Sequence, residues 1–87
     1  MTPELRSNLR RLFVLHDPLG TVVDLAYDES EYDYEISLSL SWFRNSSSRD
    51  GFEALMRDYF DRIASGRSTN ISALATAVFN DLVLSRL

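Results

Sequence analysis

The densest concentration of groups able to do chemistry lies between Asp24 and Glu35. Asp28, Glu29, Glu31, Asp33 and Glu35 place five carboxylates in eight positions, and Asp24 stands just upstream. Hard divalent cations need several oxygen ligands converging on one point. Asp24, Asp33 and Glu35 could supply three of them if they share one face of a strand. The spacing and glycine of an EF-hand loop are absent. A metal-dependent nuclease would also need a positive or polar cradle for phosphate. The segment from Asp17 to Glu35 holds seven acids and no arginine, and so repels phosphate. The sequence therefore favours a protein-binding face over a metal centre, and no metal or cofactor is expected.

On that reading the partner-binding residues are Asp24, Asp28, Glu29, Glu31, Tyr32, Asp33 and Glu35. Clustered carboxylates speed encounter with a basic partner and set its orientation. Tyrosine is one of the residue types enriched at interface hot spots. The bland alternative is that the acids keep a hairpin tip soluble while Tyr27, Tyr32 and Tyr34 face the core. His16 beside Asp17 suggests acid–base catalysis, but neighbours in a helix do not face each other. A histidine near a helix C-terminus is explained by the helix dipole alone.

Composition removes other classes. The chain has 87 residues, no cysteine, one histidine and three scattered glycines. Thiol chemistry, disulfides, thiolate or histidine-rich metal sites and glycine-rich phosphate loops are thereby excluded. No Ser/His/Asp constellation can be argued, and no enzymatic activity is expected. All nine cations are arginine; the six acids outside Asp17–Glu35 leave the rest of the chain mildly positive. Arg6, Arg10 and Arg11 make a small basic strip, but a pI near 4.7 disfavours direct nucleic-acid or membrane binding. With no long apolar run and no leader-like start, a cytoplasmic location is expected.

Thr2 and Pro3 suit the start of a helix, on which Leu5, Leu9, Leu12, Phe13 and His16 recur at helical spacing. Asp17-Pro18 should end it, and Asp17-Pro18-Leu19-Gly20 reads as a turn. Two arms with period-two alternation flank Asp28-Glu29-Ser30-Glu31. Pairing Tyr27 with Tyr32 puts Val23, Leu25, Tyr34, Ile36, Leu38, Leu40 and Trp42 on one face. Asp24, Asp33, Glu35 and Ser37, Ser39 and Ser41 then share the other, as an amphipathic β-hairpin requires. A helix over 32–43 would split those apolar residues between opposite faces. Asp50 and Glu53 have capping-box spacing, and Phe52, Leu55, Met56, Tyr59, Phe60 and Ile63 make an apolar stripe behind them. Gly66 is the expected stop. Ser68 or Asn70 can cap a last helix whose core face is Ile71, Leu74, Ala75, Val78 and Leu82, widened by Phe79, Val83 and Leu87.

The expected fold is thus a single α+β domain over residues 1–87: helix, β-hairpin, helix, helix in two layers, with an all-α four-helix arrangement as the alternative. Asp17, Pro18 and Gly20, followed by Glu31, Tyr32 and Asp33, resemble a family of small uncharacterised bacterial proteins. These carry Asp-Pro-x-Gly after a first helix and then an acidic Glu-Tyr-Asp stretch. The resemblance implies that the acidic motif leads into a helix, which supports the all-α alternative, and it brings no catalytic role. The Ser37, Ser39, Ser41 alternation departs from that family.

The expected function is a non-enzymatic inhibitor of the immunity or antitoxin type. Its acidic hairpin would occlude the cleft of a basic partner such as a toxin or nuclease. The alternatives are a phage-type inhibitor whose acids mimic nucleic-acid phosphates, and a homodimeric structural or assembly protein using Phe79, Val83, Leu87 and the hairpin edge.

Overall fold

The structure, a computed structural model, describes residues 2–20 and 32–86. Among them the elements are α1 (Pro3–His16), α2 (Asp33–Arg44), α3 (Arg49–Ala64) and α4 (Ile71–Ser85), with no strand. The architecture is a small all-α bundle. α1 and α3 lie on opposite sides, each packed on both α2 and α4, and α2 and α4 also touch.

The helix ends follow local chemistry. Thr2 Oγ1 accepts from Leu5 N at 3.1 Å, and Pro3 follows at the first helical position, where its missing N–H costs nothing. α1 stops at Asp17, which takes a left-handed conformation (φ 42°) immediately before Pro18. Gly20 completes the turn at φ 67°, a conformation that glycine adopts without Cβ strain. α3 starts two residues before the expected capping box: Ser48, not Asp50, is the cap, accepting from Gly51 N at 3.1 Å. It ends at Ser65 and Gly66, both at positive φ.

The expected hairpin is not formed. Its second arm, Tyr32–Phe43, is the entry and body of α2; its first arm and its tip at 28–31 lie outside the described residues. The buried positions here are Tyr32, Glu35, Ile36, Ser39 and Trp42, a helical spacing. Tyr34, which the strand register pointed inward, is 66% exposed. Two physical terms favour the helix. Its hydrogen bonds are satisfied within the segment, whereas a two-stranded hairpin is marginal and needs its partner arm. Packed against all three other helices, α2 also buries parts of most of its surface, so apolar residues on several sides suit it. Serine costs a helix interior only about 0.5 kcal/mol per residue. One of the three, Ser39, is fully buried and donates its Oγ to Glu35 O at 3.0 Å.

The core is one cluster to which every helix contributes: Leu9 and Phe13 of α1; Ile36 and Trp42 of α2; Phe52, Met56 and Phe60 of α3; and Ile71, Leu74, Ala75, Val78 and Leu82 of α4. Phe79, read as a widening of the α4 stripe and an assembly surface, packs into this core. Its ring lies 5.4 Å from Phe43 and 5.7 Å from Phe52. Arg49 clasps α3 to α4: Nε donates to Thr76 Oγ1 at 2.8 Å and Nη2 to Ser72 O at 3.1 Å.

Candidate functional site

The residues expected to bind a basic partner fall into two groups. Asp24, Asp28, Glu29 and Glu31 lie outside the described residues. Tyr32, Asp33 and Glu35 stand at the start of α2, and each has a structural engagement.

Tyr32 is 1% exposed and packs its ring 5.5 Å from Phe13. Its Oη donates to Asp17 Oδ1 at 2.8 Å and accepts from Leu19 N at 3.2 Å. Asp33 receives a fork from Arg10, Nε at 2.8 Å and Nη2 at 2.6 Å, with Arg6 at 3.9 Å. This geometry holds the Asp33 carboxyl below its ordinary range: the Arg10 hydrogen bond is the largest cause, opposed by partial desolvation and assisted by the charges of Arg10 and Arg6. Glu35 turns inward and accepts the phenol proton of Tyr59 in a short hydrogen bond. Burial first, then the adjacent Glu35 carboxylate, raises the Tyr59 phenol well above its ordinary value, because both disfavour a phenolate there.

The carboxylate trio expected on one hairpin face is therefore not assembled. Asp33 and Glu35 are two apart on a helix and diverge, one toward α1 and the other toward Tyr59 of α3. Among the described residues no three histidine, cysteine, aspartate or glutamate side chains converge as metal ligands. The acidic hairpin that was to occlude a basic cleft, and to mimic nucleic-acid phosphates, is replaced by a helix whose first-turn acids serve the fold. His16 ends α1, and its carbonyl accepts from Asn70 Nδ2 at 2.9 Å. The neighbouring Asp17 carboxylate goes to Tyr32, so the sequence neighbours do not form a pair. Three of the residues that carried the family resemblance, Asp17, Pro18 and Tyr32, thus belong to a joint: Asp17 and Tyr32 meet, and buried Pro18 offers its carbonyl to Thr69 N at 3.0 Å.

The feature with the geometry of a binding site lies elsewhere. An open trough of about 750 Å³ runs between the start of α1, the outer side of α2 and the end of α4. Leu5, Leu40 and Leu84 give it an apolar floor and lip, while Glu4, Arg44 and Asp81 supply charge. A second depression of about 370 Å³ continues it past Leu40, Arg44 and Ser85 to Phe43 and Arg86. Leu84 is 63% exposed and lines this trough together with the partly buried Leu5 and Leu40. Arg6, Arg10, Arg49, Arg57 and Arg62 each lie within ion-pair reach of a carboxylate. By contrast Glu4, Arg44 and Asp81 have no ion-pair partner among the described residues, although they line one trough.

The sequence reading missed the trough because Leu5, Leu40 and Leu84 come from three distant segments. The available signal was local: Leu82-Val83-Leu84 are three consecutive apolar residues on a helix, which cannot all face one core. Leu82 is buried, Val83 is 39% exposed and Leu84 points out; Leu87 lies outside the described residues.

Fold and site together define a class: a small all-helical domain with an open, amphipathic surface trough. Comparison with known proteins finds no matching family model, no similar curated protein and no similar solved structure. Among the described residues no helix is long and apolar enough to cross a membrane.

Proposed function

We propose that this chain is a non-enzymatic assembly protein that works by holding another protein chain in the α1/α2/α4 trough. The observation that carries this reading is Leu84. It stands 63% exposed at the edge of a surface that also offers Leu5 and Leu40, next to charged groups without an ion-pair partner among the described residues. Apolar side chains surrounded by polar ones are the make-up of a protein interface, with a dry centre and a charged rim. The trough is open along its length, so a side chain of a partner can enter it sideways. A small molecule there would keep much of its surface in water, unlike one in the enclosed pockets that bury such ligands.

The test is site-specific photo-crosslinking in the native cells. With p-benzoylphenylalanine in place of Leu84, illumination is expected to give a covalent adduct of one defined mass. The same replacement at Leu15 is the control. Leu15 is also strongly exposed, at 72%, but stands at the far end of α1 from the trough-lining Leu5. No adduct at position 84, or equal yields at both positions, overturns the proposal.

A further inference from the structure

The charge pattern of the trough identifies the partner, and we infer that it is a second copy of this chain, docked about a two-fold axis. This rests on the trough being a protein-binding surface. Glu4, Asp81 and Arg44 line the trough, and Arg86 lines its continuation, so two acids and two cations share one surface. A partner with a face of one sign would satisfy half of these groups and be repelled by the other half. A two-fold operation solves the problem without any new residue. In an isologous contact, if residue i meets j, then j meets i. Arg44 of one copy can therefore face Asp81 of its partner while Asp81 faces Arg44, and both pairs form from a single docking. The apolar groups fit the same operation: each copy supplies one protruding Leu84 and one receiving surface at Leu5 and Leu40.

These charges are free to pair in this way. Arg44 is exposed and Asp81 partly buried, and neither makes an ion pair among the described residues. They line the same trough yet do not bridge each other within the chain. Arg10, Arg49, Arg57 and Arg62 of α1 and α3, by contrast, are already committed: Arg10 to Asp33, Arg49 and Arg57 to Glu53, Arg62 to Asp58.

The experiment is sedimentation equilibrium on the purified chain, with charge reversals. The wild-type chain is expected to run as a dimer. Arg44→Glu sets a carboxylate against Asp81 twice, and Asp81→Arg sets a guanidinium against Arg44 twice. Each single variant is expected to weaken association at least about tenfold, because like charges are then juxtaposed at the interface. An equimolar mixture of the two single variants is expected to recover affinity beyond that of either alone. In the mixed dimer one cross-pair joins the two introduced groups and the other the two native ones, and both are opposite in sign again. The milder Arg44→Gln and Asp81→Asn variants, with melting curves, serve if a reversal disturbs folding. They too are expected to weaken the dimer while keeping the wild-type melting temperature measured on monomer. A dimer indifferent to every substitution, or a mixture no tighter than the single variants, overturns the inference. If the purified chain stays monomeric while the position-84 adduct carries a chain of different mass, self-pairing falls and the assembly reading stands. If no adduct forms, both fall.

Discussion

The phenol of Tyr32 donates to the carboxylate of Asp17 at 2.8 Å, tying the entry of α2 to the turn that ends α1. The same oxygen accepts the Leu19 N–H at 3.2 Å, so one side chain serves two groups of the Asp17-Pro18-Leu19-Gly20 turn. Thr69 N and Asn70 Nδ2 reach the same region, onto Pro18 O and His16 O. Three chain segments are thus joined at one end of the bundle. Tyr32→Phe keeps the ring against Phe13 and removes only the hydroxyl. The expected cost is about 1–3 kcal/mol, since a donor to a carboxylate and an acceptor for a part-buried N–H are lost together. Tyr32→Ala also leaves a cavity, and should cost about 3–5 kcal/mol. Urea unfolding reads both; a Tyr32→Phe variant as stable as wild type would show that the joint contributes nothing.

Tyr59 and Glu35 predict a pH dependence on the alkaline side. The Tyr59 phenol is raised above its unfolded value of about 10. The folded state therefore holds its proton longer than the unfolded state does. That contribution to stability is complete below about pH 10 and is lost as pH rises through the folded value. In a spectrophotometric titration, the Tyr59 phenol should ionise only together with unfolding. Tyr59→Phe should lower the amplitude of the unfolding-linked ionisation by one tyrosine, while leaving Glu35 without the phenol that donates to it. Ionisation of all tyrosines near their ordinary value, with the fold intact, would falsify the assignment.

On the acid side the sign reverses. The Asp33 carboxyl is lowered, chiefly by the Arg10 hydrogen bond, and the Glu53 carboxyl is lowered chiefly by that of Arg57. Such groups stabilise the fold above their unfolded values of about 4 and lose that contribution as pH falls through the folded ones. Both are partly exposed pairs, so the effect of each is small, within about 1 kcal/mol. Arg10→Gln should lower the melting temperature near neutrality and flatten its decline below about pH 4. If the wild-type and Arg10→Gln curves run parallel through that range, the pair is not what links folding to acid pH.

How much of this was legible in the sequence depended on whether a pattern was local. The α4 core face, Ile71, Leu74, Ala75, Val78 and Leu82, is buried as its spacing required. Thr2-Pro3 and Asp17-Pro18 delimit α1 as read, because caps and proline act on their immediate neighbours. The α3 stripe held at Phe52, Met56 and Phe60, though Ile63 at its end is half-exposed. α2 was misread because its apolar residues are too dense to choose a period: Tyr32, Ile36, Leu40 and Phe43 fit a helix, and the even-numbered residues from Tyr32 to Trp42 fit a strand. Contacts with three other helices decided between them, and that information is not local. The trough was illegible for the same reason, since only tertiary packing brings Leu5, Leu40 and Leu84 together.

The serine ladder of α2 gives a direct test of that choice. In a strand, Ser37, Ser39 and Ser41 would share one solvent face and respond alike to substitution. In the helix they do not: Ser37 and Ser41 are exposed, while Ser39 is fully buried beside the Glu35 carbonyl that its Oγ contacts. Ser37→Ala should raise stability by up to about 0.5 kcal/mol, because alanine is the better helix former and the exposed position needs no hydroxyl. The same change in a strand would lower it, alanine being depleted there. Ser39→Leu should destabilise by about 1–3 kcal/mol, since a closed site must accept a larger side chain. Ser39→Ala should be milder, losing one hydrogen bond to a carbonyl that keeps its helical partner. Thermal melts of the three variants separate the cases; equal shifts at 37 and 39 would restore the strand, whereas opposite signs require that the two residues stand on different faces of a helix.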